Sequence, residues 1–279
     1  MSSRFVAGFR IEDALSATAA LESQGMTVTL DSLGENVSSP GQARQSGQIY
    51  HNLLDAIAQS KLNANVSLKL TQMGMDLGRD LAFDVVSGLV QQAVRNDGFV
   101  RVDMEGTPYT QATIDLVRQL HAVPENRGHV GIVIQAYLRR SAQDIETLLA
   151  DGIRIRLCKG AYSEPPDLAF PAKKDVDGNF VALTKTLLKS GLYHGIATHD
   201  DAMVAAAKAF ARTERIDPAS FEFQMLYGIR RDLQRSLVKE GYNVRVYVPF
   251  GEQWYPYFMR RLAERPANVI FLAKNFFRN

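Results

Sequence analysis

The sequence predicts an α/β fold, a (β/α)8 barrel of the TIM type in a single domain, and three observations point there. Eight short β-rich runs alternate with longer runs of helical period from one end of the chain to the other. In five of those eight runs one face is polar or charged while the other is apolar throughout. No Gly-x-Gly-x-x-Gly turn follows the first run, which disfavours the doubly wound open sheet that the same alternation could build.

The elements are expected in this order. An extra helix over Ile11–Ser23 precedes the first strand, Met26–Leu33. Strands follow at Val66–Leu70, Phe99–Met104 and Val130–Tyr137, then at Ile153–Lys159, Gly195–His199, Phe221–Leu226 and Val244–Pro249. Between them apolar residues recur at helical spacing, as in Leu81, Val85, Val86, Leu89 and Val90. Ile145, Leu148 and Leu149 repeat the spacing, and so do Met203, Val204, Ala207 and Phe210. Ser141 and Asp200 or Asp201 mark helix starts, while glycine closes helices at Lys189-Ser190-Gly191 and Lys239-Glu240-Gly241. A C-terminal helix over Pro266–Phe277 ends the order. No linker, repeat or low-complexity tract divides residues 1–279, so one domain is expected.

The 279 residues are 46% hydrophobic and 22% charged, enough to bury a core without a disulfide or metal staple. A net charge of +2 gives no global nucleic-acid footprint. Cys158 is the single cysteine, which excludes an internal disulfide and suits a reducing compartment. No apolar run approaches the ~18–20 residues that span a bilayer, and the opening MSSRFVAGFR has no signal-peptide core. A cytoplasmic protein is expected.

The polar strand faces carry Ser67 and Lys69, Arg101 and Asp103, Arg154 and Arg156, Glu222 and Gln224, and Arg245 and Tyr247. Helices outside a barrel need apolar partners, so these faces must point inward. Burying such charges is unfavourable unless they pair with one another or with a polar ligand. For Arg101, Arg154, Arg245 and Glu222, early in their strands, ion pairs that merely fill the barrel and a polar floor beneath a ligand stand equal. Barrel enzymes place their sites at strand C-terminal ends. Those ends carry Asp31, Lys69, Asp103, Gln135, Arg156, Lys159, His199, Gln224 and Tyr247.

The segment Arg156-Leu-Cys-Lys-Gly-Ala-Tyr-Ser-Glu164 resembles the strand-5 motif R-x-V-K-G-A-Y-x-E of the proline dehydrogenase family. Phe221-Glu-Phe-Gln-Met-Leu-Tyr-Gly228 is similar to its strand 7. Arg245-Val-Tyr-Val-Pro-Phe-Gly251, with Trp254-Tyr-Pro-Tyr-Phe-Met-Arg-Arg-Leu-Ala-Glu264, is similar to its strand 8 and helix 8. Leu30-Asp-Ser-Leu-Gly-Glu35, Ser67-Leu-Lys-Leu-Thr71, Val102-Asp-Met-Glu105, Gln135-Ala-Tyr-Leu138 and Ala197-Thr-His-Asp200 match further. The matches keep family order over nearly the whole chain, and the likeness is to the monofunctional bacterial enzymes. Cys158 stands where the family usually has valine. Family members also carry additional helices ahead of the segment matching Arg4–Phe9, which leaves the oligomeric state open.

The resemblance implies FAD and the oxidation of L-proline to Δ1-pyrroline-5-carboxylate by hydride transfer from C5 to flavin N5. Electrons then pass to a quinone, which implies contact with a membrane surface. By the same resemblance Arg260 and Arg261 bind the proline carboxylate and Glu264 holds them in position. Lys69 lies by that carboxylate, and Asp103 positions the lysine. Tyr162, Tyr247 and Tyr257 wall the ring pocket with Leu226. The flavin meets Gln135, Arg156, Lys159, Gly160, Ala161, Thr198, His199 and Gln224. Glu35 pairs with Arg156 as a gate, and Lys173 and Lys174 reach the adenosine half.

Read from the residues alone, several alternatives stay open. Arg260 and Arg261 are also what a basic helix patch looks like, and Lys69 with Asp103 is also an ordinary barrel ion pair. Lys69 or Lys159 could serve as the Schiff-base nucleophile of an aldolase-type lyase. A barrel that binds an amino acid without chemistry is a third class. The connection Ser163–Asn179 is long and proline-rich, as functional loops often are.

Overall fold

The computed structural model describes residues 5–253. Its strands are β1 Thr27–Ser32, β2 Ala64–Leu68, β3 Val100–Val102, β4 Val130–Gln135, β5 Arg154–Cys158, β6 Gly195–Ala197, β7 Glu222–Leu226 and β8 Asn243–Phe250. They pair in parallel in sequence order, and β8 closes on β1 through registers such as Val28 with Val246 and Leu30 with Val248. Helix α1, Ile11–Glu22, precedes β1. Helices α2 Pro40–Ser60, α3 Arg79–Arg95, α4 Thr107–Ala122, α5 Ser141–Ala150, α6 Lys173–Lys189, α7 Asp201–Thr213 and α8 Arg231–Lys239 each follow a strand. The expected helix over Pro266–Phe277 lies outside the described residues.

Local chemistry explains the boundaries. Ser39 accepts from the Gln42 amide at 3.3 Å and Pro40 occupies the first turn, which starts α2. Asp200 caps α7 by accepting from Ala202 N at 3.0 Å. Gly191 and Gly241 follow the ends of α6 and α8 at φ +77° and +85°.

The apolar strand faces turn outward onto the helices. Leu68, Val102, Ile155, Leu157, Phe223, Val246 and Val248 are all buried, as are Ile145 and Leu148 of α5 and Leu237 of α8. The polar faces turn inward, as the alternation predicts. At the N-terminal floor Arg245 Nε donates to both Glu222 oxygens, at 2.8 and 3.0 Å. Arg101 forms no ion pair among the described residues: it donates to the carbonyls of Ile132 (3.2 Å) and Arg154 (2.8 Å). The guanidinium groups of Arg101 and Arg154 both lie over the Phe99 ring, at 4.7 and 4.5 Å. Such filling needs room. A Cβ on Gly131 would come within 2.8 Å of the Arg101 guanidinium, and one on Gly195 within 2.2 Å of the Gln224 amide.

Two expectations shift. The strand ladders end earlier than the sequence suggests at Lys69, Asp103, Lys159, Thr198 and His199, which stand just past their strands because the ends splay into loops. The connection after β5 is also shorter than Ser163–Asn179, since α6 already begins at Lys173. Val176, Phe180, Leu183 and Leu187 are buried at helical spacing and draw that segment onto the barrel. Among the described residues no helix is long and apolar enough to cross a membrane.

Candidate active site

Above the floor, one hydrogen-bonded lattice joins five strands or their ends. Arg156, from β5, is 6% exposed. Its Nη1 donates to Asp103 Oδ1 at 2.8 Å and to Ser67 Oγ at 3.1 Å, and its Nε donates to Gln224 Oε1. Ser67 Oγ donates to Asp103 Oδ1 at 2.6 Å, and the Tyr247 hydroxyl donates to Asp103 Oδ2 at 2.8 Å. The Arg156 guanidinium also lies 5.1 Å from the Tyr247 ring centroid. Gln224 Nε2 donates to Glu222 Oε1 at 2.5 Å, so the upper lattice continues into the floor. Arg156 Nη2 is buried and has no hydrogen-bond partner among the described residues.

The structure rearranges two expected pairs. Lys69 Nζ donates to Asp31 Oδ2 at 3.1 Å, and that carboxylate is its partner in place of Asp103. Asp103 is committed to Arg156, Ser67 and Tyr247. The expected gate pair between Glu35 and Arg156 is not formed: Arg156 ion-pairs with Asp103, whose side chain reaches it from the neighbouring interior position. Glu35 instead stands close enough to Glu105 to act on its charge. Burial pushes the Glu105 carboxyl up, against the Thr71 amide and hydroxyl that donate to it at 3.1 and 2.7 Å.

The rim is built around the loop after β5. Gly160 sits at φ +115°, where a Cβ would stand 2.2 Å from the Tyr137 ring, so glycine alone fits. Ala161 N donates to Gln135 Oε1 at 3.3 Å, while Gln135 Nε2 donates to the Glu105 carbonyl at 3.0 Å. Glu164 accepts from the amide and hydroxyl of Thr107 at 2.7 and 2.5 Å, which ties this loop and its Tyr162 to the start of α4. Lys159 Nζ donates to Asp177 at 2.5 Å and to Asp200 at 2.8 Å, and Lys173 joins the same two carboxylates. Thr198 Oγ1 accepts from Asp200 N at 3.1 Å.

His199 accepts from Leu226 N through Nε2 at 2.8 Å. Burial, reinforced by the Arg230 guanidinium, pulls it down to about 4, so the ring is neutral near pH 7. Leu226 itself is 42% exposed at the end of β7. Tyr257, Arg260, Arg261 and Glu264 lie outside the described residues.

Sequence reasoning missed several members. Tyr50 of α2 is fully buried and bonded to Asp31, yet an aromatic on an apolar helix face reads as core. Arg230 donates to the His199 carbonyl at 3.1 Å and to Asp201 at 2.8 Å, so it fixes the loop that carries His199. Glu164 and Glu105 were visible as motif residues without a role. Asp31 was visible as a strand-end carboxylate, and its parity in β1 put it on the inner face.

A parallel (β/α)8 barrel with a charged interior, crowned at its C-terminal mouth by interlocked arginine, lysine, carboxylate and tyrosine side chains, has the build of a barrel enzyme. A family model described as proline dehydrogenase matches residues 14–274. Proline dehydrogenase 2 of Bacillus subtilis (strain 168) is 43% identical over 271 residues, 97% of this chain and 88% of that protein. Proline dehydrogenase of Deinococcus radiodurans is 41% identical over 280 residues, 98% of this chain and 89% of that protein. Among solved structures, proline utilization A from Bdellovibrio bacteriovorus, inactivated by N-propargylglycine, superposes with a TM-score of 0.88 at 27% identity. That match covers 94% of this chain and 32% of the other, so the chain spans about a third of that protein's length. The chain belongs to the proline dehydrogenase family.

Proposed function

We propose that this chain, as one barrel domain over residues 1–279, binds FAD and oxidises L-proline to Δ1-pyrroline-5-carboxylate, passing electrons to a quinone. The observation that carries the reading is Arg156 Nη2, a buried guanidinium nitrogen with no partner among the described residues in a lattice whose other donors are engaged. Buried donors in native structures are satisfied, so an orphan of this kind fits a polar ligand. The residues fit a flavin. Arg156, Lys159, Gln135, Thr198, His199 and Gln224 offer polar groups around the mouth, and the Gly160–Ala161 backbone permits close approach. When bound, the flavin supplies a two-electron acceptor at N5 for the hydride leaving proline C5.

The chain's own residues orient and neutralise. The Arg156 guanidinium, held by Asp103 and Gln224, keeps a fixed positive charge beside the cofactor site. Such a charge favours an electron-rich ring. Lys69, fixed by Asp31, supplies a cation for the substrate carboxylate, with Arg260 and Arg261 adding bidentate forks by resemblance to the family. By resemblance to the family, Tyr162, Tyr247 and Tyr257, with Leu226, would wall a small ring and exclude water from it. Tyr247 keeps its hydroxyl on Asp103, so its ring is held at one orientation. The cytoplasmic location, with contact at a membrane surface to reach the quinone, belongs to the same proposal. The lyase reading loses ground because ion pairs engage both candidate lysines, Lys69 and Lys159.

An anaerobic absorbance spectrum before and after L-proline is the test. A flavin spectrum that bleaches is the expected result. A flavin spectrum unchanged by L-proline, or a colourless protein that FAD does not reconstitute, overturns the reading.

A further inference from the structure

Helix α2 lies outside the barrel, yet one of its side chains reaches the inner carboxylate beside Lys69. The ladder between β1 and β2 ends at Leu30 with Val66, and beyond it the two strands part. The Tyr50 hydroxyl fills the gap. It accepts from Ser32 N at 3.2 Å and stands 2.8 Å from the Ser67 carbonyl and 3.1 Å from Asp31 Oδ1. Asp31 is fully buried, and its two oxygens divide between two partners, Tyr50 on Oδ1 and Lys69 on Oδ2. Ser67, whose carbonyl Tyr50 touches, also holds Asp103 through its hydroxyl. One phenol therefore sits on both branches of the site.

The Tyr50 side chain is itself 0% exposed, and burial first, then the Asp31 and Asp103 charges, raise its ionisation well above the ordinary phenol range. The hydroxyl therefore keeps its proton, and stays a donor, near neutral pH. Of the acceptors around it, the carboxylate is the one that gains most from a hydrogen bond, because charge-assisted bonds are the strong ones. Without the hydroxyl, Asp31 Oδ1 would be left as a buried charged acceptor with no donor.

We infer that Tyr50 is a positioning residue: acting through Asp31 from outside the barrel, it sets where the Lys69 ammonium stands, and so sets the affinity for a carboxylate-bearing substrate. This rests on the proposed reading of the site as one that binds the proline carboxylate.

The test is a double-mutant cycle on the FAD-loaded enzyme with L-proline, using the near-isosteric changes Tyr50→Phe and Asp31→Asn. Tyr50→Phe is expected to raise KM about tenfold, with kcat and flavin content near those of the wild type. In the Asp31→Asn background the same change should add little, because the group it acts through is gone. If Asp31→Asn does not fold, Lys69→Met serves as the background, with the same expected loss of effect. An unchanged KM in Tyr50→Phe overturns the inference. So does an effect that multiplies fully in either background, or one seen only as lost flavin, since each marks Tyr50 as a packing residue. Wild-type protein that L-proline does not reduce overturns the underlying reading and the inference with it, whereas an active wild type with an indifferent Tyr50→Phe removes the inference alone.

Discussion

Glu222 shows what a charge inside this barrel requires. It is 2% exposed and accepts from Arg245 Nε at 2.8 and 3.0 Å, from the Tyr193 hydroxyl at 3.0 Å and from Gln224 at 2.5 Å. Burial would raise its carboxyl, but the Arg245 guanidinium and the other donors outweigh that and hold it below the usual carboxylate range. Glu222→Gln leaves Arg245 without its counter-charge and is expected to cost roughly 3 kcal/mol of unfolding free energy near neutral pH. Because the folded pKa is depressed, the wild-type advantage is complete above the unfolded carboxyl's 4.5 and is lost as pH falls through the folded value. Urea denaturation of both forms at pH 7 and in mild acid checks this. A cost under about 1 kcal/mol at pH 7 would assign the floor to packing alone. The residue types at this scale were legible: strand parity turned Glu222, Arg245, Arg101 and Arg156 inward. Their partners were not, because parity fixes a face and says nothing of which neighbour a long guanidinium reaches. Arg101 therefore took backbone carbonyls, which neither account of the polar face had named, and Lys69 took Asp31 where Asp103 was expected.

At the scale of elements, β6 is the instructive strand. It has three residues and joins β5 through only two registers, Arg156 with Gly195 and Leu157 with Ile196. His194, just before it, completes the join: Ile155 N donates to its Nδ1 at 3.0 Å. Ser190 Oγ, whose own proton goes to the Leu187 carbonyl at 2.7 Å, lies 2.9 Å from Nε2. Those bonds fix the neutral tautomer with the proton on Nε2. Burial, with Arg101 nearby, pulls His194 from 6.5 down to about 3. Between those values the unfolded chain takes up a proton that the folded chain refuses, so stability falls as pH drops from about 6.5. The limiting slope is about 1.4 kcal/mol per pH unit. His194→Asn keeps an acceptor for Ile155 N but does not titrate. It is expected to be about 1 kcal/mol less stable at pH 7 and to show a visibly flatter decline between pH 6.5 and 4. Equal slopes for the two proteins would remove His194 as the source. Helix starts and glycine stops were legible here because caps are local chemistry, as at Asp200, Gly191 and Gly241. The early start of α6 was not, since the prolines at 165, 166 and 171 read as loop while the buried periodicity of Val176, Phe180 and Leu183 takes over only at Lys173.

Across the whole molecule the barrel interior divides into a floor built on the Glu222–Arg245 pair and a lattice at the mouth, and each keeps a buried guanidinium nitrogen without a partner among the described residues, Arg101 Nε below and Arg156 Nη2 above. The floor spends Glu222 on Arg245, and the lattice above runs through Gln224 to Arg156, where Nη2 finds no partner among the described residues. On the proposed reading FAD meets the donor at the mouth, and a ligand that binds the folded chain should stabilise it by mass action. FAD at about 100 times its dissociation constant should contribute about 2.7 kcal/mol. For a chain of this size that is on the order of 5 °C in thermal midpoint. Arg156→Met removes the unpartnered donor together with the counter-charge of Asp103. Its midpoint without FAD should fall below that of the wild type, because Asp103 loses its cation. Its response to added FAD should shrink to a small fraction of the wild-type shift. Melting both proteins over a series of FAD concentrations separates the two effects, since the first is present at zero ligand and the second only grows with it. A variant that starts lower but climbs by the full wild-type increment would show that Arg156 serves the lattice and not the cofactor. The unpartnered nitrogen would then have to be met by the substrate or by water.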